Sequence, residues 1–330
     1  MSRVILLGAG ASRGTLGEQA PVAAEFGKHL SKSNVDWSQE YPYLAAAIRF
    51  LKPRIPDTSE ESWALDKVWS AIDNRFKLRL IWGTSLPGSP IPPPTTKRIY
   101  KGNGDPWVLA GFELLCSVAS VYGAVLDSEI QKAIKGNGTV KRELDQLQPG
   151  DCVVSFNYDL LVENTLGELS REVAIANPWL DTTNTYDAND AILLCKPHGS
   201  LNWKRWVPEN GRPVQILNRS MKKNEIDFDP TQNATIQPGI VAPVPYKSEI
   251  IFPESQQRAL DFFRLLVEQW RCAIRCLSEA ENLVVLGYGF PPEDLHAHYL
   301  FAEAAAKRNS DKKRNWKSKY MKNTSNASMK

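Results

Sequence analysis

The sequence predicts an α/β fold in which a parallel sheet carries helices on both faces. Two observations lead there. Four short, mostly apolar runs occur at Val4–Leu7, Asp151–Phe156, Ala191–Lys196 and Asn282–Leu286. Between them lie stretches with apolar residues at three- and four-residue spacing, the period of a helix buried on one side. Runs that are apolar almost throughout belong to strands covered on both faces. Strands alternating with helices require crossover connections, hence a Rossmann-like parallel sheet.

The elements follow in order. Val4–Leu7 reads as a buried strand that breaks at Gly8, with a helix expected near Ala20–Leu30. From about 31 to 140 the pattern is helical, with segments at Tyr43–Leu51, Ser59–Phe76 and Trp107–Ala133. That stretch is read as a helical insertion in the α/β core. Within it, Leu86–Thr95 is proline-rich and can be neither helix nor central strand. The core resumes with the strand Asp151–Phe156, a helix over Asp159–Leu169 and the strand Ala191–Lys196. An irregular or small β insertion occupies about 202–250. The helix Glu254–Leu277, the strand Asn282–Leu286 and the helix Glu293–Lys307 close the core.

At 330 residues the chain suits one large domain, about 1–306, followed by a basic tail. Its 42% hydrophobic and 23% charged residues are ordinary for a globular protein. No apolar run approaches the roughly 18–20 residues of a membrane span, and Met1–Gly8 lacks the pattern of a signal peptide. A cytoplasmic location is the expectation. Five cysteines without a Cys-x-x-Cys pair argue against a disulfide scaffold and a four-cysteine zinc site, so no metal is expected. Cys272 and Cys276, four apart, read as core residues. The net charge of +3 is uneven: residues 307–330 carry nine Lys or Arg and one Asp. A solvated, disordered tail is favoured over a nucleic-acid arm, since only Trp316 and Tyr320 accompany the charge.

The chemistry-bearing residues sit where the apolar runs end, the edge at which open α/β sheets bind ligands. The first cluster is Gly8-Ala9-Gly10-Ala11-Ser12-Arg13-Gly14. Its glycines would let a diphosphate approach the backbone at a helix N-terminus. The spacing is one residue longer than the usual dinucleotide fingerprint, and no acid-tipped second strand follows, which disfavours a dehydrogenase. The second is Ser155-Phe156-Asn157-Tyr158-Asp159, where Asn157 can hold a ribose hydroxyl or a water and Asp159 can cap the next helix. The third is Lys196-Pro197-His198-Gly199-Ser200, with an imidazole suited to general-base work near neutral pH. The fourth is Gly287-Tyr288-Gly289-Phe290, with Asp294 a turn later.

In order and chemistry these clusters resemble the sirtuin superfamily, and specifically the sirtuin-like NADase domains of prokaryotic anti-phage defence systems. The resemblance rests on Gly8–Ser12, Asn157–Asp159, His198–Ser200 and Gly287–Phe290 and spans roughly residues 3–303. It implies a cytoplasmic NAD+ glycohydrolase, with NAD+ as substrate, that acts in defence by depleting NAD (abortive infection). It places catalytic roles on Asn157, His198 and Asp159. It places NAD binding on Gly8, Ala9, Gly10, Ser12, Gly14, Ser155, Gly199, Gly287, Tyr288, Gly289 and Asp294. Deacylating sirtuins carry a zinc module with two Cys-x-x-Cys pairs, absent here, and Asn-Ile-Asp in place of Asn157-Tyr158-Asp159. Both departures favour water as the nucleophile. The resemblance further implies a homo-oligomer, a separate partner such as a HerA-type ATPase or a short Argonaute, or both. The alternatives are a non-catalytic NAD or ADP-ribose sensor, and a sirtuin-type protein deacylase or ADP-ribosyltransferase.

Overall fold

The computed structural model describes residues 3–32, 36–55, 62–72, 106–175, 191–207, 214–229, 234–240, 260–290, 294–310 and 317–321. The proline-rich segment Leu86–Thr95 lies outside the described residues, as does much of the second segment expected in the helical insertion.

The chain opens with β1 (Arg3–Leu7) and α1 (Ala9–Leu16). Next come α2 (Phe26–Ser31), α3 (Trp37–Glu40) and α4 (Pro42–Leu51), with a further helical segment at 65–72. Then follow α5 (Pro106–Tyr122), α6 (Ala124–Ala133) and α7 (Thr139–Asp145). The core continues with β2 (Cys152–Ser155), α8 (Leu161–Glu168), β3 (Val173–Ile175) and β4 (Ile192–Cys195). A second set of strands comprises β5 (Gly199–Val207), β6 (Gln215–Ile216), β7 (Asp227–Asp229) and β8 (Ala234–Ile240). The chain closes with α9 (Leu260–Glu279), β9 (Asn282–Leu286), α10 (Leu295–Ser310) and β10 (Lys317–Met321).

The main sheet has six strands in the order β10-β9-β1-β2-β4-β3, and every pairing is parallel. This is the Rossmann-like α/β architecture that the apolar runs predict. The two-residue period of the strands divides each run between two cores. Ile5, Leu7, Val153, Ile192, Leu194, Val284 and Leu286 face the helices of α1, α2 and the insertion. Val4, Leu6, Cys152, Val154, Leu193, Cys195, Leu283 and Val285 face α9 and α10. Alternation is invisible in the sequence because both faces are dry.

Several expectations change. The helix after β1 begins at once, at Ala9, and not near Ala20, where only short 3-10 turns and α2 occur. The insertion at about 202–250 takes the β form of the two expected, an antiparallel sheet β6-β5-β8-β7, whose strand β5 starts slightly earlier, at Gly199. Two parts of the basic tail differ from a solvated coil: residues 307–310 belong to α10, and β10 pairs with β9 in register Lys317↔Asn282 to Met321↔Leu286, while 311–316 and 322–330 lie outside the described residues. That pairing covers the backbone edge of β9, which would otherwise be left open. One stretch, Pro106–Ala133, is long and apolar enough to cross a membrane by length and composition, contrary to the sequence expectation. It bends at Gly123 into α5 and α6, and 62% of its most apolar window is buried within the protein. Its one buried acid, Glu113, accepts the Leu44 amide at 2.8 Å.

Candidate active site at the carboxyl edge of the sheet

Because β1, β2, β4 and β9 run parallel, the four motifs that follow them emerge at the same edge. There they line a cavity of about 380 Å³. Its walls include Gly8, Ala9, Gly10, Asn157, Asp159, His198, Gly287, Tyr288, Gly289 and Asp294, ten of the predicted site residues.

The glycine turn owes its composition to backbone packing. Gly8 N donates to Leu286 O at 3.1 Å, Gly10 N to Gly287 O at 2.9 Å and Ala11 N to Gly8 O at 2.9 Å. A Cβ on Gly8 would lie 2.6 Å from Tyr288 Cα, and one on Gly10 would lie 2.7 Å from Gly287 O. Gly287 has φ +60, and its Cβ would lie 2.1 Å from Ala11 N. The β1 and β9 loops therefore interlock through glycine, and three amides expected at a diphosphate already have carbonyl partners. Of the glycines that line the cavity, Gly289 alone has open space around its Cβ position.

A hydrogen-bonded chain crosses beneath the cavity. Asn157 Nδ2 donates to Gly8 O and to Ser12 Oγ, each at 3.0 Å. Ser12 Oγ donates to Asp159 Oδ2 at 2.7 Å, and Asp159 Oδ1 accepts the Leu161 amide at 3.0 Å. Asp159 thus anchors the start of α8, as its sequence position suggests. The Asn157 amide has both protons committed, so toward an occupant it can only accept, through Oδ1.

His198 follows β4 and is 4% exposed. It sits against the Phe156 ring at 5.0 Å and the Trp270 ring at 6.1 Å. Its Nε2 lies 3.4 Å from Asp294 Oδ1, an ion-pair contact whenever the imidazole is protonated, without hydrogen-bond geometry. Asp294 also accepts the Tyr288 hydroxyl at 2.7 Å and the Ala297 amide at 3.2 Å. Burial acts to raise the Asp294 carboxyl, but His198, Tyr288 and the amide outweigh it and hold the group below its usual value. Burial and Asp294 push the Tyr288 phenol far up, so it stays protonated.

Four predicted site residues lie off the cavity. Ser12, 2% exposed, spends its hydroxyl between Asn157 and Asp159. Ser155 is buried, and its Oγ accepts the backbone N–H of Asn157 at 3.3 Å. Gly14 lies exposed within α1, because the helix starts five residues before it. Gly199, at φ +82, is fixed by packing: its Cβ would lie 1.9 Å from Gly239 O on β8.

Other parts of the wall were not anticipated. Pro21, Val22, Ala23, Leu65, Asp66 and Tyr122 face the cavity from outside the four motifs. Lys196, fully buried behind it, ties the β4 turn to the second motif. Its Nζ donates to Asp159 O at 2.6 Å, Ser200 Oγ at 2.8 Å and Glu163 Oε1 at 2.9 Å. The available signal was a lysine ending an otherwise apolar strand, a position that demands partners. Trp203 packs away from the cavity, against Leu265 and Leu266. Cys152, Cys195, Cys272 and Cys276 gather in the core under α9, with Cys152 and Cys195 sulfurs 3.9 Å apart.

No protein-family model matches this chain, and no curated protein matches it.

Proposed function

We propose that the cavity binds NAD+ and hydrolyses its nicotinamide–ribosyl bond, giving nicotinamide and ADP-ribose. The observation that carries this reading is the convergence of Asn157, Asp159 and the His198–Asp294 pair on one cavity at the carboxyl edge of a Rossmann-like sheet. In the reaction the C1′–N1 bond breaks and its electron pair neutralises the pyridinium nitrogen. Nicotinamide leaves uncharged, so no strong acid is needed. Water supplies the new C1′–O bond and loses a proton. His198 takes that proton, and Asp294 orients the imidazole and stabilises its charged form. Asn157 Oδ1 accepts from a ribose hydroxyl or the incoming water. Asp159, a carboxylate on the same wall held by Ser12, is assigned the positive charge that develops on the ribose ring.

The resemblance in the four motifs extends the proposal to an effector of prokaryotic anti-phage defence that acts by NAD depletion. In that setting the chain works in the cytoplasm as a homo-oligomer or under a separate partner, of which a HerA-type ATPase and a short Argonaute are the two types implied. A second reading has one observation in its favour. Asn157 Nδ2, the Ser12 hydroxyl and both Asp159 carboxylate oxygens are spent on one another and on the backbone. That suits a sensor that holds NAD or ADP-ribose without turning it over.

The test is nicotinamide release from NAD+ by the purified chain, beside His198→Gln. Release that the variant loses, with unchanged melting temperature, supports hydrolysis with His198 as base. Tight binding of NAD+ that is recovered intact favours the sensor. No binding at all overturns both.

A further inference from the structure

Three carboxylates line the cavity, Asp66, Asp159 and Asp294, with one imidazole, His198. Among the described lining residues there is no Lys and no Arg. Lys196, a buried cation, stands behind the wall, and Glu163 answers its charge at 2.9 Å.

Between the carboxylates stand aromatic faces, including Tyr122, Phe156 and Tyr158. The phenols are kept neutral: burial first, then Asp159 and Asp66, push Tyr122 up, and burial with its acidic surroundings does the same for Tyr158. Asp66 and Asp159 therefore act on the same ring from different elements. Asp66 stands on the helical segment 65–72, which Trp69 fixes against Tyr158 at 5.9 Å. Neutral π-faces and carboxylates in a half-enclosed site both favour a flat cation.

We propose that the cavity selects its occupant by charge, taking a planar cationic heteroaromatic ring such as an N-alkylated pyridinium over its neutral counterpart, and that Asp66 of the helical insertion sets this preference. This deepens the NAD+ reading, on which it rests for the identity of the natural ring. It makes NAD+ the ligand and NADH, with its uncharged dihydropyridine, a poor one. It also gives a reason for product to leave: once its bond to ribose breaks, nicotinamide has lost the charge that held it.

The experiment uses two probes of nearly equal shape, 1-methylnicotinamide and nicotinamide, titrated into the full chain by calorimetry. Wild type, Asp66→Asn and Asp66→Glu are compared, with thermal melts as a control for folding. The expected result is that wild type binds the cation at least about tenfold more tightly. Asp66→Asn should remove most of that ratio, and Asp66→Glu should keep it. Equal affinity for the two probes in wild type, an unchanged ratio in Asp66→Asn, or binding of neither probe at millimolar concentration each overturns the proposal. Pyridinium preference together with intact NAD+ would sink the hydrolase and leave charge selection standing. Nicotinamide release from NAD+ without any preference would do the reverse.

Discussion

The cavity has two sides of different origin. One is built from the turns that follow β1, β2, β4 and β9, where backbone and side-chain hydrogen bonds tie the turns to one another. The other comes from the helical insertion and the segment at 21–23, and it is held by side-chain packing, such as Phe26 stacked on Tyr122 at 5.8 Å. The first side has little freedom: moving one turn unseats its neighbour. The second can change its side chains while the sheet stays intact. Chemistry is thus expected from the strand ends and selectivity from the insertion.

The strongest way to break this comparison is at His198 itself. Under the proposed mechanism, His198→Gln lowers nicotinamide release by about 10²–10⁴-fold, while a wild-type rate would return the residue to a purely packing role. Lys196→Met attacks the same side through stability. It leaves Glu163, Asp159 O and Ser200 Oγ without their shared donor, and is expected to cost about 3–5 kcal/mol by urea unfolding. A loss under about 1 kcal/mol would mean that the clamp is not needed to hold the two turns together. Next come the glycines. Gly10→Ala should destabilise by about 1–3 kcal/mol as the interlock opens, whereas Gly289→Ala should leave the melt unchanged and weaken only the occupant. Equal melting of the two variants would contradict the interlock.

The acid limb of stability sharpens the comparison further. The Asp294 carboxyl is held below its ordinary value of 3.8, so its contribution is present above that pH and is lost as pH falls toward the depressed folded value. Asp294→Asn should flatten the decline of stability below pH 3.8 relative to wild type. An unchanged acid slope would remove Asp294 from the network. The smallest effect is expected on the insertion side. Tyr122→Phe loses one hydrogen bond, to Pro21 O at 3.2 Å, worth about 1 kcal/mol.

The same division explains what the sequence revealed. The strands were legible because a dry strand must be apolar throughout, and the motifs after them were legible because they follow such strands directly. Asn157, Asp159, His198 and Asp294, read from their place after the strands and from the resemblance, all line the cavity. Gly14 was misplaced because its spacing resembles a phosphate loop, while the interlock with Gly287 closes the turn five residues earlier. Asp66 and Tyr122 carry no local mark. They reach the cavity through contacts with residues far along the chain, such as Tyr158 and Pro21. β10 was missed for a similar reason: Lys317–Met321 has no apolar pattern, and its conformation depends on the edge of β9.

The interlocked glycines also bear on timing. β1 pairs with β2 and with β9, so the first strand made is completed by one of the last. The Gly8 and Gly10 amides donate to Leu286 O and Gly287 O, carbonyls made late in synthesis, and Asp294 comes later still. A chain still on the ribosome therefore lacks a wall of its own cavity. Under the proposed reaction, the NAD+ of the producing cell stays out of reach until residues 287–294 have been made.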